Sequence, residues 1–401
     1  MTRSAVTHTD VAIVGAGPAG LMLSHLLALN GIDSVAVDVR SRRDIELTHR
    51  AGILERDSVR MLVDTGVSER VLRDGHEHQG IDLRYGGRSH RVDFQALVGA
   101  STWLYPQTDV FIDLADARQR DGGDVRFAVS DTQLLDVTGD HPAIRFTDSS
   151  GASCEIRCRY VVGADGSRSM CRLGVPEAHR RQYFREYPFA WFGILAEAPI
   201  SAPELIYARS ERGFALVSQR TEMLQRMYFQ CDPQENLADW PEDRIWQELQ
   251  DRLAGEDGFS LRQGPIVDKS VLPFRSFVQE PMRYGNLMLV GDAAHTVPPT
   301  GAKGLNLALA DVRVLAELLY RAVGKNDGSA LDEFSARALS RVWKAQHFSY
   351  WMTAMLHQVP EAADFDTRRQ LGELDAVTSS QAGQRFLAEA YTGWPSQPLT
   401  S

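Results

Sequence analysis

Four hundred and one residues are more than one small module needs and suit a two-domain enzyme. Hydrophobic residues at 43% and charged residues at 24% sit near globular averages, which rules out wholesale disorder. With 43 Lys and Arg against 53 Asp and Glu, the net charge of −10 makes the chain a poor partner for nucleic acid or an anionic membrane surface.

The four cysteines, Cys154, Cys158, Cys171 and Cys231, are few and irregularly spaced. Cys154 and Cys158 lack the second pair that a zinc site needs, so no metal is expected, and free thiols in a reducing cytoplasm are. The long apolar stretch 11–29 is broken by Gly15, Gly17, Pro18, Gly20, Ser24 and His25, and residues 1–10 hold one Arg and one Asp. Neither an export leader nor a membrane span is expected.

Val11-Ala-Ile-Val14 reads as a short buried parallel strand, and Leu21, Leu23, Leu26 and Leu27 carry a helix toward an Asn30-Gly31 stop. Ser34-Val-Ala-Val-Asp38 is the next strand, ending in an acid 18 residues beyond Gly20. Gly15 suits a tight turn, Gly17 lets backbone approach a pyrophosphate, and Gly20 lets helix pack on strand. The helix N-terminus then faces phosphate charge and Asp38 faces a ribose. From about residue 80 the texture alternates polar and apolar, as in Arg91-Val-Asp-Phe, Ala143-Ile-Arg-Phe-Thr and Cys154-Glu-Ile-Arg-Cys, which predicts half-exposed antiparallel strands. Tyr160-Val-Val-Gly163 and Leu287-Met-Leu-Val290 return to buried-strand character, each followed by Gly and Asp. Between them, Phe214-Ala-Leu-Val-Ser218 and Met227-Tyr-Phe-Gln230 are strands of a second unit. A helix is predicted from Ala302 to about Ala322. The last 70 residues are helical and rich in Phe334, Trp343, Phe348, Trp351, Met352 and Met355, a stripe that reads as core or as a subunit interface.

Three motifs stand in register: Gly15-Ala-Gly-Pro-Ala-Gly20, Val162-Gly-Ala-Asp-Gly-Ser-Arg-Ser169, and residues 289–306 from Leu289-Val-Gly-Asp292 to Lys303-Gly-Leu-Asn306. In this order they resemble the triple motif of FAD-dependent aromatic hydroxylases with a single flavin domain. Pro298-Pro-Thr-Gly-Ala-Lys-Gly-Leu-Asn306, His49-Arg-Ala-Gly52, Tyr105-Pro-Gln107, Gly213-Phe-Ala-Leu-Val-Ser-Gln-Arg220 and Ala390-Tyr-Thr-Gly-Trp-Pro395 resemble the branch that hydroxylates 4-hydroxybenzoate, over essentially the whole chain. The resemblance implies an α/β fold, with an FAD-binding Rossmann-like domain of the glutathione-reductase type, an inserted antiparallel β substrate domain and a helical C-terminal region. The corresponding boundaries are 1–78, 100–182 and 276–330 for the FAD domain, 79–99 and 183–275 for the substrate domain, and 331–401 for the helical interface region.

The reaction implied is hydroxylation of 4-hydroxybenzoate at C3 to protocatechuate, with NADH or NADPH reducing FAD and O2 supplying the oxygen, in a cytoplasmic homodimer. FAD contacts fall on Gly15, Gly17, Gly20, Asp38, Thr48, Arg50, Ala51, Gly52, Gln107, Asp165, Arg226, Asp292, Pro299, Leu305 and Asn306. Substrate contacts fall on Tyr207, Ser218, Arg220, Tyr228, Pro299 and Thr300. Ser218 and Arg220 are two apart on one strand and share a face, where a hydroxyl and a planar cation suit an aromatic carboxylate. Read without the resemblance, the same face is an exposed strand with an incidental arginine.

The resemblance places Tyr207 against the substrate phenol, Tyr391 behind it and His78 at the solvent end, a chain able to carry a proton out of a buried pocket. Singly, Tyr207 also reads as a strand tyrosine, Tyr391 as a packing residue and His78 as a surface histidine. Nicotinamide contacts fall on Arg40, Asp44, Arg168, Arg172 and Arg275. NADPH-preferring relatives carry Arg just after the ribose acid, Tyr five residues later and Arg four beyond; here these are Val39, Asp44 and Thr48. Arg40, Arg42 and Arg43 are either replacement charge or a solvated basic turn. Two rival readings remain: a sister hydroxylase acting on another hydroxy- or aminobenzoate, and a non-catalytic FAD-binding sensor, which predicts loss of the arginine or the tyrosines.

Overall fold

A computed structural model describes residues 5–48 and 52–395. Its centre is a six-stranded sheet running Arg283–Tyr284, Leu287–Leu289, Tyr160–Gly163, Val11–Val14, Ser34–Val37, Asp124–Arg126, parallel except at the first pair. Val11–Val14 and Tyr160–Gly163 are buried along their whole length, which explains why they read as unbroken apolar runs. The helices Pro18–Leu29 and Gly304–Leu319 pack on this sheet and on each other, and the second ends in a π-type turn, Tyr320–Gly324. A four-stranded sheet, ordered Ala5–His8, Ser153–Arg157, Ala143–Thr147, Ser130–Leu135, takes the alternating segments read from the sequence.

The second large sheet has eight strands: His295–Thr296, Ile266–Glu280, Arg181–Ala196, Leu224–Cys231, Gly213–Thr221, Leu205–Ser210, Gly80–Tyr85, Arg88–Asp93. One face packs on the helix Glu242–Leu253 through Phe192, Phe229, Trp240 and Trp246. The other face turns toward the helices Phe334–Leu356, Asp364–Ser379 and Gln381–Thr392, with Tyr207, Tyr228, Phe348 and Tyr391 in one buried cluster. Phe334, Phe348, Met352 and Met355 of the C-terminal stripe are therefore core, while Trp343 remains exposed. A three-stranded sheet of Ile53–Glu55, Thr102–Leu104 and His76–His78 lies between the two units. Among the described residues no helix is long and apolar enough to cross a membrane, and no cluster of His, Cys, Asp and Glu suits a metal.

Candidate active site

The βαβ turn is shaped to receive a phosphate. Gly15 has φ +106°, and a Cβ there would meet the Ala164 carbonyl oxygen at 2.3 Å. A Cβ on Gly20 would meet the Gly15 oxygen at 1.9 Å, so both positions exclude any side chain. At Gly17, the N-cap of helix Pro18–Leu29, no atom lies within 4 Å of that point and no side chain caps the helix, leaving its first N–H groups open to an anion. Asp38 is buried at the end of Ser34–Val37, accepting the Ala16 and Arg40 N–H groups at 2.9 Å each. These bonds fix its carboxylate at the strand end, where such folds carry the ribose acid.

A second helix starts close by, since a Cβ on Gly291 would lie 2.9 Å from Ala308 Cβ of that helix and 3.8 Å from Ala19 Cβ of the first. Gly304–Leu319 also starts without a side-chain cap, so the N–H groups of Leu305 and Asn306 lie in its positive first turn. The Asn306 side chain is a clip: it donates to the Ile53 and Ala302 carbonyls at 2.8 and 3.0 Å and accepts the Glu55 N–H at 2.9 Å. Asp165 shapes its loop likewise, accepting from Ser169 Oγ at 2.6 Å and from the Met170 and Cys171 N–H groups at 2.8 and 3.1 Å. Asp292 lies on the turn Gly291–Ala293, which His295 and Asp311 tie to the helix: Asp311 accepts the Gly291 N–H at 2.9 Å and contacts His295 Nε2 at 2.5 Å. Gly52 and Gln107 meet directly, since a Cβ on Gly52 would lie 2.0 Å from the Tyr105 oxygen and 2.7 Å from the Gln107 nitrogen. Arg50 and Ala51, with His49, fall outside the described residues. An open glycine turn, a buried ribose acid and two converging uncapped helix starts fit FAD.

The substrate wall follows from strand register. Tyr207 pairs with Leu216, Leu216 with Tyr228, and Tyr228 with Gly193, so Tyr207 and Tyr228 point to one face. Ser218 and Arg226 pair in the next row of that face. Arg220 sits where the register slips between Gln219 and Thr221, a bulge of the kind that re-aims a side chain beside a site. Gly193 keeps the wall hollow, because a Cβ there would lie 3.2 Å from both Arg226 Nη2 and Tyr228 Cε1. Arg226 donates from Nε to the Tyr228 hydroxyl at 3.1 Å, which leaves the Tyr228 proton available to an incoming anion. Burial disfavours the charged form of Arg220, Tyr228 and Asp109 offset part of that and Arg226 adds to it; an anionic substrate relieves the remaining cost.

Tyr207 and Tyr391 lie 184 residues apart in sequence and 2.7 Å apart at their hydroxyls, both buried. Burial pushes both phenols above their ordinary range, so both stay protonated at neutral pH. Thr300 is buried on the turn Pro299–Gly301, its hydroxyl accepting from Thr353 Oγ1 at 2.9 Å.

His78 departs from its expected place at the solvent. The strand His76–His78 turns alternate residues inward, leaving Glu77 exposed and His78 at 1% exposure. Gln219 Nε2 donates to His78 Nε2 at 2.8 Å, which puts the imidazole proton on Nδ1. Burial lowers its pKa to about 4, His76 adds to this and Glu204 opposes it. The unfolded chain therefore binds a proton near pH 6.5 that the folded chain refuses until about 4, so stability falls as pH drops through that window. The loss attributable to His78 is about 3 kcal/mol at most. Urea unfolding of the His78→Asn variant between pH 7.5 and 4.5 is expected to show a smaller acid loss than wild type; an equal loss contradicts this.

The nicotinamide candidates divide. Arg172 straps the backbone, donating to the Asp292 and Ala293 carbonyls at 2.8 Å each and covering the Phe277 ring at 4.3 Å. These bonds tie it to the turn that bears Asp292. Arg168 and Arg275 are exposed. Asp44 reciprocally caps the helix Arg42–Glu46 with Ser41, and Thr48 donates to the Asp44 carbonyl at 2.8 Å. Arg42 is tied to Glu46, Gln119 and Asp116.

Sequence reasoning did not single out the buried cluster behind Tyr391. Lys303 donates to Glu55 at 2.6 Å and to the Tyr391 carbonyl at 3.0 Å, and Arg341 reaches Glu55 at 3.2 Å. Lysine within an otherwise apolar, glycine-rich turn was the available signal. Gln219, whose bond sets the His78 tautomer, carried none.

Residues 8–349 match the family model described as FAD binding domain. The chain is 43% identical over 388 residues to p-hydroxybenzoate hydroxylase of Acinetobacter baylyi, covering 96% of each chain. It is 27% identical to 6-methylpretetramide 4-monooxygenase of Streptomyces rimosus, over 87% of this chain and 84% of that one. The crystal structure of p-nitrophenol 4-monooxygenase from Pseudomonas putida superposes with a TM-score of 0.81 at 18% identity, covering 98% of this chain and all of the other. The chain belongs to the FAD-dependent aromatic monooxygenases built on this FAD binding domain.

Proposed function

We propose that the chain hydroxylates 4-hydroxybenzoate at C3 to 3,4-dihydroxybenzoate, using O2 and NADH or NADPH, as a cytoplasmic homodimer. On this reading segments 1–78, 100–182 and 276–330 carry the cofactor, 79–99 and 183–275 the substrate wall, and 331–401 contributes to the subunit interface. The observation that carries the proposal is the buried Tyr207–Tyr391 hydrogen bond on the sheet face that also bears Tyr228 and Ser218. A para-hydroxybenzoate has its two polar ends opposite each other, and this wall offers a cation for one end and a phenol pair for the other.

FAD, when bound, supplies the hydride acceptor and the activated oxygen. The protein's share is positioning and proton control. Arg220 pairs with the carboxylate, Tyr228 donates its free proton to it, and Ser218, which donates to the Arg226 carbonyl at 2.8 Å, can turn to the remaining lone pair. At the opposite end the substrate phenol passes its proton to Tyr207 while Tyr207 passes its own to Tyr391, and Tyr391 in turn releases its own toward His78 and solvent. Neither tyrosine needs to ionise, consistent with the upward shift of both. The ring carbon ortho to the resulting phenolate is the nucleophile. Thr300, held by Thr353, and Pro299 border the reacting edge, and the N–H groups of Leu305 and Asn306 place the positive end of their helix there.

NADH is expected to serve at least as well as NADPH. Asp44 repels a 2′-phosphate, and Arg42 is committed to Asp116 and Glu46, which leaves Arg40 and Arg43 to offset it. Each lost charge-assisted hydrogen bond costs about 1.5–3 kcal/mol. Steady-state kcat/KM for both nucleotides decides: a tenfold preference for NADPH contradicts the argument. Substrate identity is tested by stopped-flow reduction of the bound flavin across 4-hydroxy-, 3-hydroxy- and 4-aminobenzoate. The 4-hydroxy compound is expected to stimulate reduction most, and a faster response to either analogue reassigns the substrate.

A further inference from the structure

At the far end of the strands Gly80–Tyr85 and Leu205–Ser210, beside the turn at Gly86 and Gly87, lies a cavity of about 280 Å³ lined by Arg84, Arg88, Arg209 and Arg252. We infer that this cavity binds a small oxyanion, a carboxylate or phosphate head group, with Arg209 as its principal ligand.

The four arginines that line the cavity are not equally paired. Arg84 makes a bidentate pair with Asp257 at 2.8 and 2.7 Å, and Arg88 reaches Glu256 at 3.4 Å. Arg252 donates to Glu248 at 2.7 Å, but Glu248 also receives Arg212. Arg84, Arg88 and Arg252 thus each hold a carboxylate, while Arg209 feels only Glu211 at the rim, through space.

Arg209 is 4% exposed, and no carboxylate makes an ion pair with it among the described residues. Its Nη2 donates to Gln370 Oε1 at 3.3 Å, while its buried Nε has no hydrogen-bond partner among the described residues. Gln370 cannot turn to improve this, because its Nε2 is held by the Ala354 and His357 carbonyls at 2.7 and 2.8 Å. A buried guanidinium with an unmade donor is costly, and a planar fork of this kind is matched by an oxyanion. Tyr85 and Leu371 add apolar wall, room for an organic body attached to the head group.

The test is calorimetric titration of the FAD-loaded full chain with inorganic phosphate and, separately, acetate, comparing wild type with Arg209→Gln and Leu371→Glu. Saturable binding of at least one of the two anions is expected, weakened about tenfold or more by Arg209→Gln, since it removes charge-assisted donors. Leu371→Glu, a change at a half-buried position, sets a carboxylate in the wall and is expected to weaken binding as well. It carries the test if Arg209→Gln fails to fold. The stronger of phosphate and acetate identifies the head group. Absence of saturable binding of both anions to wild type, or equal binding to the folded variants, overturns the assignment.

Discussion

Arg220→Ala is expected to raise the dissociation constant for 4-hydroxybenzoate roughly 30-fold or more, because truncating one partner of a buried charge pair costs about 2–5 kcal/mol. The size of the effect follows from where Arg220 sits. It sits at the strand bulge Gln219–Thr221 in a neighbourhood shared with Tyr228 and Arg226, where burial disfavours its charge and an anion favours it. Arg220→Lys is expected to fall between wild type and alanine, since an ammonium keeps the charge but loses the planar fork. Titration of the flavin absorbance with substrate reads both variants. Binding by the alanine variant within twofold of wild type contradicts the carboxylate assignment.

Tyr207→Phe is expected to leave substrate bound and to uncouple the reaction. Without the first hydroxyl of the Tyr207–Tyr391 pair, the substrate phenol has no short path for its proton, and an undeprotonated ring attacks oxygen slowly. Loss of a positioned acid or base slows a proton-dependent step by about 10²-fold or more, so NADH oxidation continues while hydrogen peroxide replaces hydroxylated product. Tyr391→Phe is expected to be milder, because Tyr207 still meets the substrate. Measuring product against NADH consumed checks both, and full coupling in the Tyr207 variant contradicts the relay.

What the sequence shows and what it hides separate by distance along the chain. Gly15, Gly17, Gly20 and Asp38 form one local βαβ unit, so spacing alone states their geometry, whereas the two-residue repeat linking Ser218 to Arg220 is interrupted by the bulge at Gln219–Thr221. Tyr207 and Tyr391 share no local pattern across 184 residues; family resemblance alone brought them together before the structure did. The Lys303–Glu55 pair spans 248 residues, with Lys303 inside a motif of glycines and prolines and Glu55 outside any motif. His78 misled because His-Glu-His reads as surface, and its burial depends on Gln219, 141 positions away, and on the pairing with Thr102. Arginine is ambiguous until its partners are known: Arg42 reads from the sequence as replacement charge or a solvated turn, and Arg172 as a nicotinamide contact. Asp116 and the Asp292 and Ala293 carbonyls are those partners.

The central claim, ortho hydroxylation of a para-phenolic benzoate, is tested most directly by one turnover assay. FAD-loaded protein supplied with 4-hydroxybenzoate, NADH and ¹⁸O-labelled O2 is expected to yield 3,4-dihydroxybenzoate carrying one labelled oxygen, in near-stoichiometric ratio to NADH oxidised. Hydrogen peroxide as the sole product, or a hydroxyl placed elsewhere on the ring, contradicts it.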